Sequence, residues 1–388
     1  MRLAAASILA LCACAGSGRV YPCDPDAGNC SDHSLPDGGA QPQFISQPST
    51  VFHDGAHASF PDVLPFQGAL FAAFRRAPAW SVDATAQVFV LRSGDKGKTW
   101  DRTATLSLSG RDLRQPRLFV FGGKLRVLAT AWEESNPSAH HTTLQLASSD
   151  DGYTFGAFST VANQAGVSAW RPRQLGASLF FSVWAADELF PASTPNQLGI
   201  LQSDDALAFS TSTAPPVGPG GREGELAVRA DGQRALLVPE RALLGGVEHN
   251  TFCHATKEPA SPAWACWSAP GPAVESPAMF EWNGFLYVAG KREAGAGHKR
   301  TAVWQVMEDD HQLQLVANVE SSFGDTGGPS VVALDASHAL LLFHTTSSLD
   351  PRVAALGHEP TEVEAQGQAL SGDILAVTLD MASAQSGN

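Results

Sequence analysis

The sequence VFGGKLRVLATAW, at residues 120–132, places a glycine turn between two apolar segments and predicts a tight β-hairpin. Five similar stretches occur along the chain. Together with Gly123, their turn residues are Gly68, Gly176, Gly232, Gly284 and Ser337. Successive turn residues are 55, 53, 56, 52 and 53 residues apart. A period this constant predicts one structural unit repeated six times.

A unit of this length holds about four short strands, and four-stranded units arranged radially form a β-propeller. The sequence therefore predicts an all-β fold, a six-bladed β-propeller with four-stranded antiparallel blades, over residues 48–388. We expect Asp373–Met381 to supply the third strand of the last blade and residues 43–52 its outer strand. A β-sandwich or a two-domain chain, the alternative, does not explain the period.

The first residues resemble a bacterial lipoprotein signal. Arg2 is followed by an apolar stretch, Leu3–Ala13, that is too short to span a bilayer. It ends at Cys14 in a string similar to a lipobox, which implies cleavage after residue 13 and lipidation of Cys14. The alternative is an ordinary cleaved signal. Residues 14–47, rich in Gly, Pro and Asp, predict a tether. We therefore expect an exported protein, lipid-anchored to the bacterial, most simply the outer, membrane.

Four cysteines remain once Cys12 and Cys14 are assigned to the signal, an even number that suits an oxidising compartment. The simplest connectivity is local. It predicts a disulfide between Cys253 and Cys266, and leaves the pairing of Cys23 with Cys30 open.

A second pattern, S-x-D-x-G-x-T-aromatic, recurs inside the repeat at Ser93–Trp100 and Ser148–Phe155, with a degenerate copy at Gln202–Phe209. An aspartate in such a string, here Asp95 or Asp150, can accept backbone N–H bonds within a tight turn. The strings resemble the Asp-boxes of sialidase-like propellers. That resemblance implies a structural role at the hairpin end of each unit.

Candidate site residues lie at the opposite end of each unit, where a pocket over the central axis is expected. Carboxylates there can act as acids and bases, and guanidiniums can bind an anionic sugar. The candidate catalytic residues are Asp62, Asp112, Glu223 and Asp325. The candidate substrate-binding residues are Arg75, Arg114, Arg171, Arg241, Arg292, Trp132 and His344. In the alternative interpretation, these charges pair with one another and close the axial channel.

Several of these residues lie in strings such as Asp112-Leu-Arg114-Gln-Pro116, Trp170-Arg171 and Gly324-Asp325-Thr326. These strings are similar to blade motifs of bacterial propellers of the exo-α-sialidase type. The resemblance implies a sialidase-like propeller that handles glycans at the cell surface. The chain departs from true sialidases in lacking their Arg-Ile-Pro string at the first blade, and it has only three tyrosines, none placed to act as a nucleophile.

The sequence leaves two functions open. One is a glycoside hydrolase that uses Asp and Glu on an acidic sugar, and the other is a non-catalytic carbohydrate- or protein-binding propeller. The expected partner is a glycan or glycoconjugate, and the lipid anchor is the only expected contact with the membrane. A net charge of −14 argues against nucleic acid. No cofactor and no metal ion are predicted, and we expect a monomer.

Overall fold

The structure, a computed structural model, describes residues 45–133, 142–185, 198–212, 214–218, 221–240, 248–255 and 263–382. Cys14, the tether up to residue 44 and Arg241 lie outside these residues. Within them, the elements are β-strands apart from two short helices, as the sequence predicted. Neither of these helices is long and apolar enough to cross a membrane.

The strands follow the chain in antiparallel groups. Group 1 contains β2 (His57–Phe66), β3 (Ala69–Ala77), β4 (Gln87–Ser93) and β5 (Asp101–Leu106), and is preceded by β1 (Ser49–Phe52). Group 2 contains β6 (Arg111–Phe121), β7 (Lys124–Glu133), β8 (Thr143–Ser149) and β9 (Ser159–Ala165). Group 3 contains β10 (Val167–Ala169), β11 (Arg173–Leu175), β12 (Ser178–Ala185), β13 (Leu198–Ser203) and β14 (Ser210–Ser212).

Group 4 contains β15 (Glu225–Val228), β16 (Arg234–Glu240), β17 (His249–Ala255) and β18 (Trp264–Ala269). Group 5 contains β19 (Glu275–Trp282), β20 (Phe285–Glu293), β21 (Lys299–Met307) and β22 (Gln312–Asn318). Group 6 contains β23 (Gly327–Ala333), β24 (His338–Thr346) and β25 (Gly372–Asp380), with helices α1 (Pro351–Leu356) and α2 (Glu362–Gly367) inserted before β25.

The N-terminal strand completes the last group. β25 pairs with β24 on one side and with β1 on the other, which is the arrangement expected for these two segments. Groups 6 and 1 belong to one eight-stranded sheet, joined by the single parallel bridge between His57 and Gly372. The other groups form four separate sheets. The chain is an all-β propeller with four-stranded antiparallel blades.

The core lies between neighbouring groups. One apolar cluster packs groups 1 and 2 together through residues such as Phe71 and Leu118, and another packs groups 6 and 1 through Phe74 and Leu342. Four further clusters join groups 2 and 3, 3 and 4, 4 and 5, and 5 and 6. Because the inner strands of each group face a neighbouring group on both sides, strands such as β3 and β7 are buried along almost their whole length.

Cys253 on β17 and Cys266 on β18 are direct cross-strand neighbours and form a disulfide, with their Cα atoms 4.1 Å apart. The bridge ties the third strand of group 4 to its outer strand.

Candidate functional site

The first strand of most groups carries a β-bulge in its first half, and this bulge sets where the candidate side chains point. The ladder slips between Ser59 and Asp62, and it slips again at the corresponding point of β6, β19 and β23. The central residues have positive φ, namely Phe60 (57°), Gln115 (50°), Ser276 (53°) and Gly328 (52°). A proline follows each one, and a bulge tolerates proline because one residue there is left unpaired.

Side chains from the residues around these bulges meet at the centre of the ring, where we define the axial network as Asp62, Arg171, Glu225 and Ser330. Arg171 donates from Nε to Asp62 Oδ1 (2.6 Å) and from Nη1 to Glu225 Oε2 (3.0 Å). Ser330 Oγ donates to Asp62 Oδ1 (2.7 Å). Four groups are thereby joined through three charged side chains and one serine, all almost completely buried.

The bulge prolines complete this network. Their carbonyl oxygens are free of the ladder, and Arg171 donates to Pro277 O (3.1 Å) and Pro329 O (2.6 Å). All three guanidinium nitrogens of Arg171 therefore have acceptors. Asp62 and Arg171 therefore pair with each other across the axis, as the alternative interpretation of these charges expects.

A second buried ion pair joins groups 1 and 2. Arg75 donates from Nε and Nη2 to the two carboxylate oxygens of Asp112, at 2.8 and 2.7 Å, and its remaining bonds go to the carbonyls of Ala79 and Ser81. Both side chains are fully buried. Arg75 and Asp112 thus form a bidentate ion pair, and neither side chain is accessible to a ligand.

An aromatic cluster lies at the end of the groups away from the hairpin turns. We define it as His57, Phe60, Trp80, Arg114 and His344. The Arg114 guanidinium lies 4.5 Å from the Trp80 ring and 5.6 Å from the Phe60 ring. The Phe60 ring lies 5.3 Å from Trp80 and 5.7 Å from His344. These are the distances of cation–π and aromatic contacts.

Three buried polar atoms in the aromatic cluster have no hydrogen-bond partner among the described residues. They are Nη2 of Arg114, Nδ1 of His57 and Nε2 of His344. Phe60, at their centre, has the strained positive φ of the bulge. Unpaired polar atoms and strained backbone both cost free energy, and their coincidence points to a functional site.

Asp325 lies beside this cluster and accepts a hydrogen bond from His57 Nε2 (2.9 Å) and a longer one from Gln366 of α2 (3.3 Å). Burial opposes ionisation of Asp325, but the neighbouring imidazoles of His344 and His57 hold its pKa well below the usual range. Burial lowers the pKa of His57, so its imidazole is neutral near neutral pH.

Arg117 was not among the predicted site residues. It follows the bulge proline of β6, is fully buried, and its guanidinium lies 3.8 Å from the ring of Trp170. None of its three nitrogens has a hydrogen-bond partner within the described part of the chain. Burial lowers the pKa of Arg117 to about 9, against the attraction of nearby carboxylates. The repeat of prolines at 61, 116, 172, 277 and 329 could have identified this position.

Three other predicted site residues, Glu223, Arg292 and Trp132, belong to neither the axial network nor the aromatic cluster. Glu223 Oε2 accepts from the backbone N (2.8 Å) and Oγ (3.3 Å) of Ser276. Arg292 is partly buried at the end of β20 and donates to the Glu293 carbonyl (3.3 Å). Trp132 is buried opposite Asp112. Trp80, by contrast, comes from the β3–β4 connection, where no sequence motif indicated a site.

The opposite end of the groups carries the predicted Asp-box turns. Asp95 accepts from the backbone N (2.9 Å) and Oγ1 (2.7 Å) of Thr99, which lowers its pKa to about 2. In the second turn the prediction named the wrong aspartate. Asp151 accepts from the backbone of the turn, whereas Asp150 is exposed and pairs with Lys124. Adjacent aspartates in the sequence left this choice open.

A cavity of about 260 Å³ opens along the axis at this hairpin end. Its walls include Leu64, Leu118 and Met279, and the polar groups at its inner end belong to the axial network, whose members already bond to one another. A polar ligand would gain little there. Within the described ranges, no group of three or more His, Cys, Asp or Glu side chains is placed to hold a metal ion.

The sequence matches no protein-family model and no curated protein. Solved structures are similar in fold. A protein of unknown function from Dyadobacter fermentans has a TM-score of 0.63 and 14% identity, over 87% of this chain and 98% of that one. The endosialidase of phage phi92 has a TM-score of 0.63 and 10% identity, over 87% of this chain and 69% of that one.

An α-L-arabinofuranosidase from Fusarium graminearum has a TM-score of 0.61 and 15% identity, over 87% of this chain and 98% of that one. At these identities the similarity establishes a propeller of the sialidase-like fold. A shared fold does not fix a function, which has to be argued from the site.

Proposed function

We propose that the chain is a glycan-binding propeller of sialidase-like fold, with its ligand site at the aromatic cluster. The observation that supports this most is how the polar groups are divided. Most of the predicted substrate-binding arginines and catalytic carboxylates, including Arg75, Asp62 and Arg171, form buried ion pairs with one another. The polar atoms without a hydrogen-bond partner lie instead around Phe60 and Trp80. Aromatic faces combined with free hydrogen-bonding atoms suit a sugar ring.

Binding is favoured over hydrolysis because a glycosidase needs a protonated carboxylic acid as well as a carboxylate. The pKa of Asp62 is lowered: burial opposes this shift, but Arg171 and Arg117 outweigh it. The pKa of Asp325 is also lowered. Both side chains are therefore ionised at neutral pH and cannot donate a proton. Glu223 is the candidate acid that remains for the hydrolytic alternative.

We infer that the propeller has six blades and that the Asp95 and Asp151 turns are Asp-boxes. The degenerate copy is a third, in which Asp205, rather than the Asp204 that the pattern indicates, accepts from the backbone N of Leu207 and Ala208. The blade count divides the eight-stranded sheet at its single parallel bridge, so that groups 6 and 1 are counted separately. Six apolar interfaces between six groups support this division.

The proposed location is the cell surface, with Cys14 as the lipidated residue. Ile45 bridges to Leu379 at the hairpin end of group 6, so the chain leading to the tether lies on that side. The aromatic cluster is at the opposite end and would face away from the membrane. Replacing Cys14 with serine should release the protein from membranes, and an unchanged membrane fraction would contradict lipidation.

The function is tested by screening the whole chain on a glycan array and against chromogenic glycosides. We expect glycan binding without turnover. Arg114→Met should weaken binding about tenfold or more, whereas Arg126→Met is the matched control, because Arg126 is also buried in group 2 but lies at the hairpin end of β7. Turnover that disappears in Glu223→Gln would establish the hydrolytic alternative instead.

A further inference from the structure

The hydrogen-bonding atoms of the aromatic cluster specify which class of sugar it can hold, an inference that rests on the proposed function. The predicted ligand was an acidic sugar, whose carboxylate needs a guanidinium with two parallel N–H groups free. Four described arginines lie around the axis and the cluster, namely Arg75, Arg114, Arg117 and Arg171, and each has contacts that limit how it could bind a carboxylate.

Two of these arginines have no free nitrogen. Arg75 donates from Nε, Nη1 and Nη2 to Asp112 and to two carbonyls, and Arg171 donates from the same three atoms across the axis. Arg114 uses Nη1 for the Trp80 carbonyl (2.8 Å) and for Asp112 (3.3 Å), which leaves Nη2. With Nη1 committed, a carboxylate can approach only the Nε–Nη2 edge of Arg114, where it would be repelled by the negative charges of Asp112 and Asp325 that already act on this guanidinium.

Arg117 does not supply the missing clamp, although its nitrogens have no hydrogen-bond partner. It is fully buried against Trp170, and the negative charges that act on it come from Asp62, Glu225 and Glu223. A second anion brought to this position would be repelled by those carboxylates.

The histidines of the cluster have defined tautomers when neutral. The backbone N–H of Phe60 donates to His344 Nδ1 (3.4 Å), so the proton of His344 is on Nε2, which is then a donor. His57 donates from Nε2 to Asp325 (2.9 Å), so its Nδ1 is an acceptor. The cluster therefore offers Arg114 Nη2 as a donor and His57 Nδ1 as an acceptor. The second donor, His344 Nε2, already lies 3.8 Å from Asp325 Oδ1 and is attracted by that carboxylate.

We propose that the aromatic cluster binds a neutral sugar residue through its hydroxyl groups rather than an acidic sugar through its carboxylate. A hydroxyl both donates and accepts, so vicinal hydroxyls match this mixture of donors and an acceptor. Trp80, which is partly exposed, supplies an apolar face for the ring, and the buried Phe60 packs against Trp80. The polar atoms are covered by protein side chains, and Trp80 is the partly exposed member of the cluster. The proposal therefore requires Trp80 to move aside when a sugar binds.

The test uses the whole chain and pairs of glycans that differ only in a terminal acidic residue, either sialic acid or a uronic acid. We expect the neutral member of a pair to bind at least tenfold more tightly, with little dependence on salt. Arg114→Met and His344→Phe should each weaken that binding about tenfold or more. Arg126→Met should leave it unchanged.

Preferred, salt-sensitive binding of the acidic member would overturn the neutral-sugar inference while leaving a glycan-binding function in place. Failure to bind either member would overturn the proposed function itself. Thermal unfolding of each variant shows whether it folds. If Arg114→Met is unfolded, Trp80→Ala replaces it, because Trp80 is partly exposed and carries no charge. Wild-type affinity in Trp80→Ala would then count against the site.

Discussion

Replacing Arg117 with methionine is predicted to stabilise the protein. The side chain is fully buried without a hydrogen bond to any described residue, and burial brings the pKa of Arg117 from its ordinary value above 12 down to about 9. Each pKa unit corresponds to about 1.4 kcal/mol, so the charged form is disfavoured by about 4 kcal/mol relative to water. Methionine keeps the contact with Trp170 and removes the charge.

We expect a gain of about 1 to 4 kcal/mol in the free energy of unfolding, measured in urea at pH 7. Arg117→Lys, which keeps a buried charge, should give no gain. A loss of more than about 1 kcal/mol in Arg117→Met would refute the reasoning.

Three further predictions concern stability. Arg171→Leu leaves Asp62 buried without its guanidinium and removes one of the two arginines that pair with Glu225, so it should cost about 3 kcal/mol, and a loss under about 1 kcal/mol in urea unfolding would contradict the network. Reducing the Cys253–Cys266 disulfide, which closes a loop of 13 residues, should cost about 2 to 3 kcal/mol, seen as a lower urea midpoint in dithiothreitol. Burial lowers the pKa of His57, so below about pH 6.5 the unfolded chain takes up the proton first and the free energy of unfolding falls as the pH falls. His57→Gln should make the free energy of unfolding less dependent on pH in this range. An unchanged pH dependence would mean that other groups cause it.

The repeat was readable from sequence because the hairpin turns are local. Gly123 has positive φ between two apolar strands, and its counterparts recur at the same spacing. Closure of the last group by β1 and β25 was also predictable, since the repeat left one blade short of strands. In the second Asp-box turn, only the hydrogen bonds separate Asp151 from Asp150.

The site was less predictable because its contacts are distant in the chain. Asp62 and Arg171 are 109 residues apart and meet across the axis. Their positions in the repeat brought both to the axis, but whether they face each other or a ligand depends on side-chain geometry. The bulges were hidden for a different reason. Proline within an apolar segment is usually evidence against a strand, yet Pro61 and Pro116 lie inside β2 and β6.

The charge balance at the axis bears on what the protein can bind. Three guanidiniums and three carboxylates meet around the bulges, namely Arg117, Arg171 and Arg173 with Asp62, Glu223 and Glu225. A site evolved to hold an anion would carry an excess of positive charge, whereas this one is formally neutral before any ligand arrives.

The bulges explain why the charges at the axis are balanced. They turn charged side chains inward from several strands at once, and such charges are stable in a buried space only when they are paired. The hydrogen bonds left for a ligand are then those of the aromatic cluster, which carries one guanidinium beside the carboxylate of Asp325 and is likewise balanced. Electrostatics and hydrogen-bond geometry therefore agree in favouring a neutral sugar.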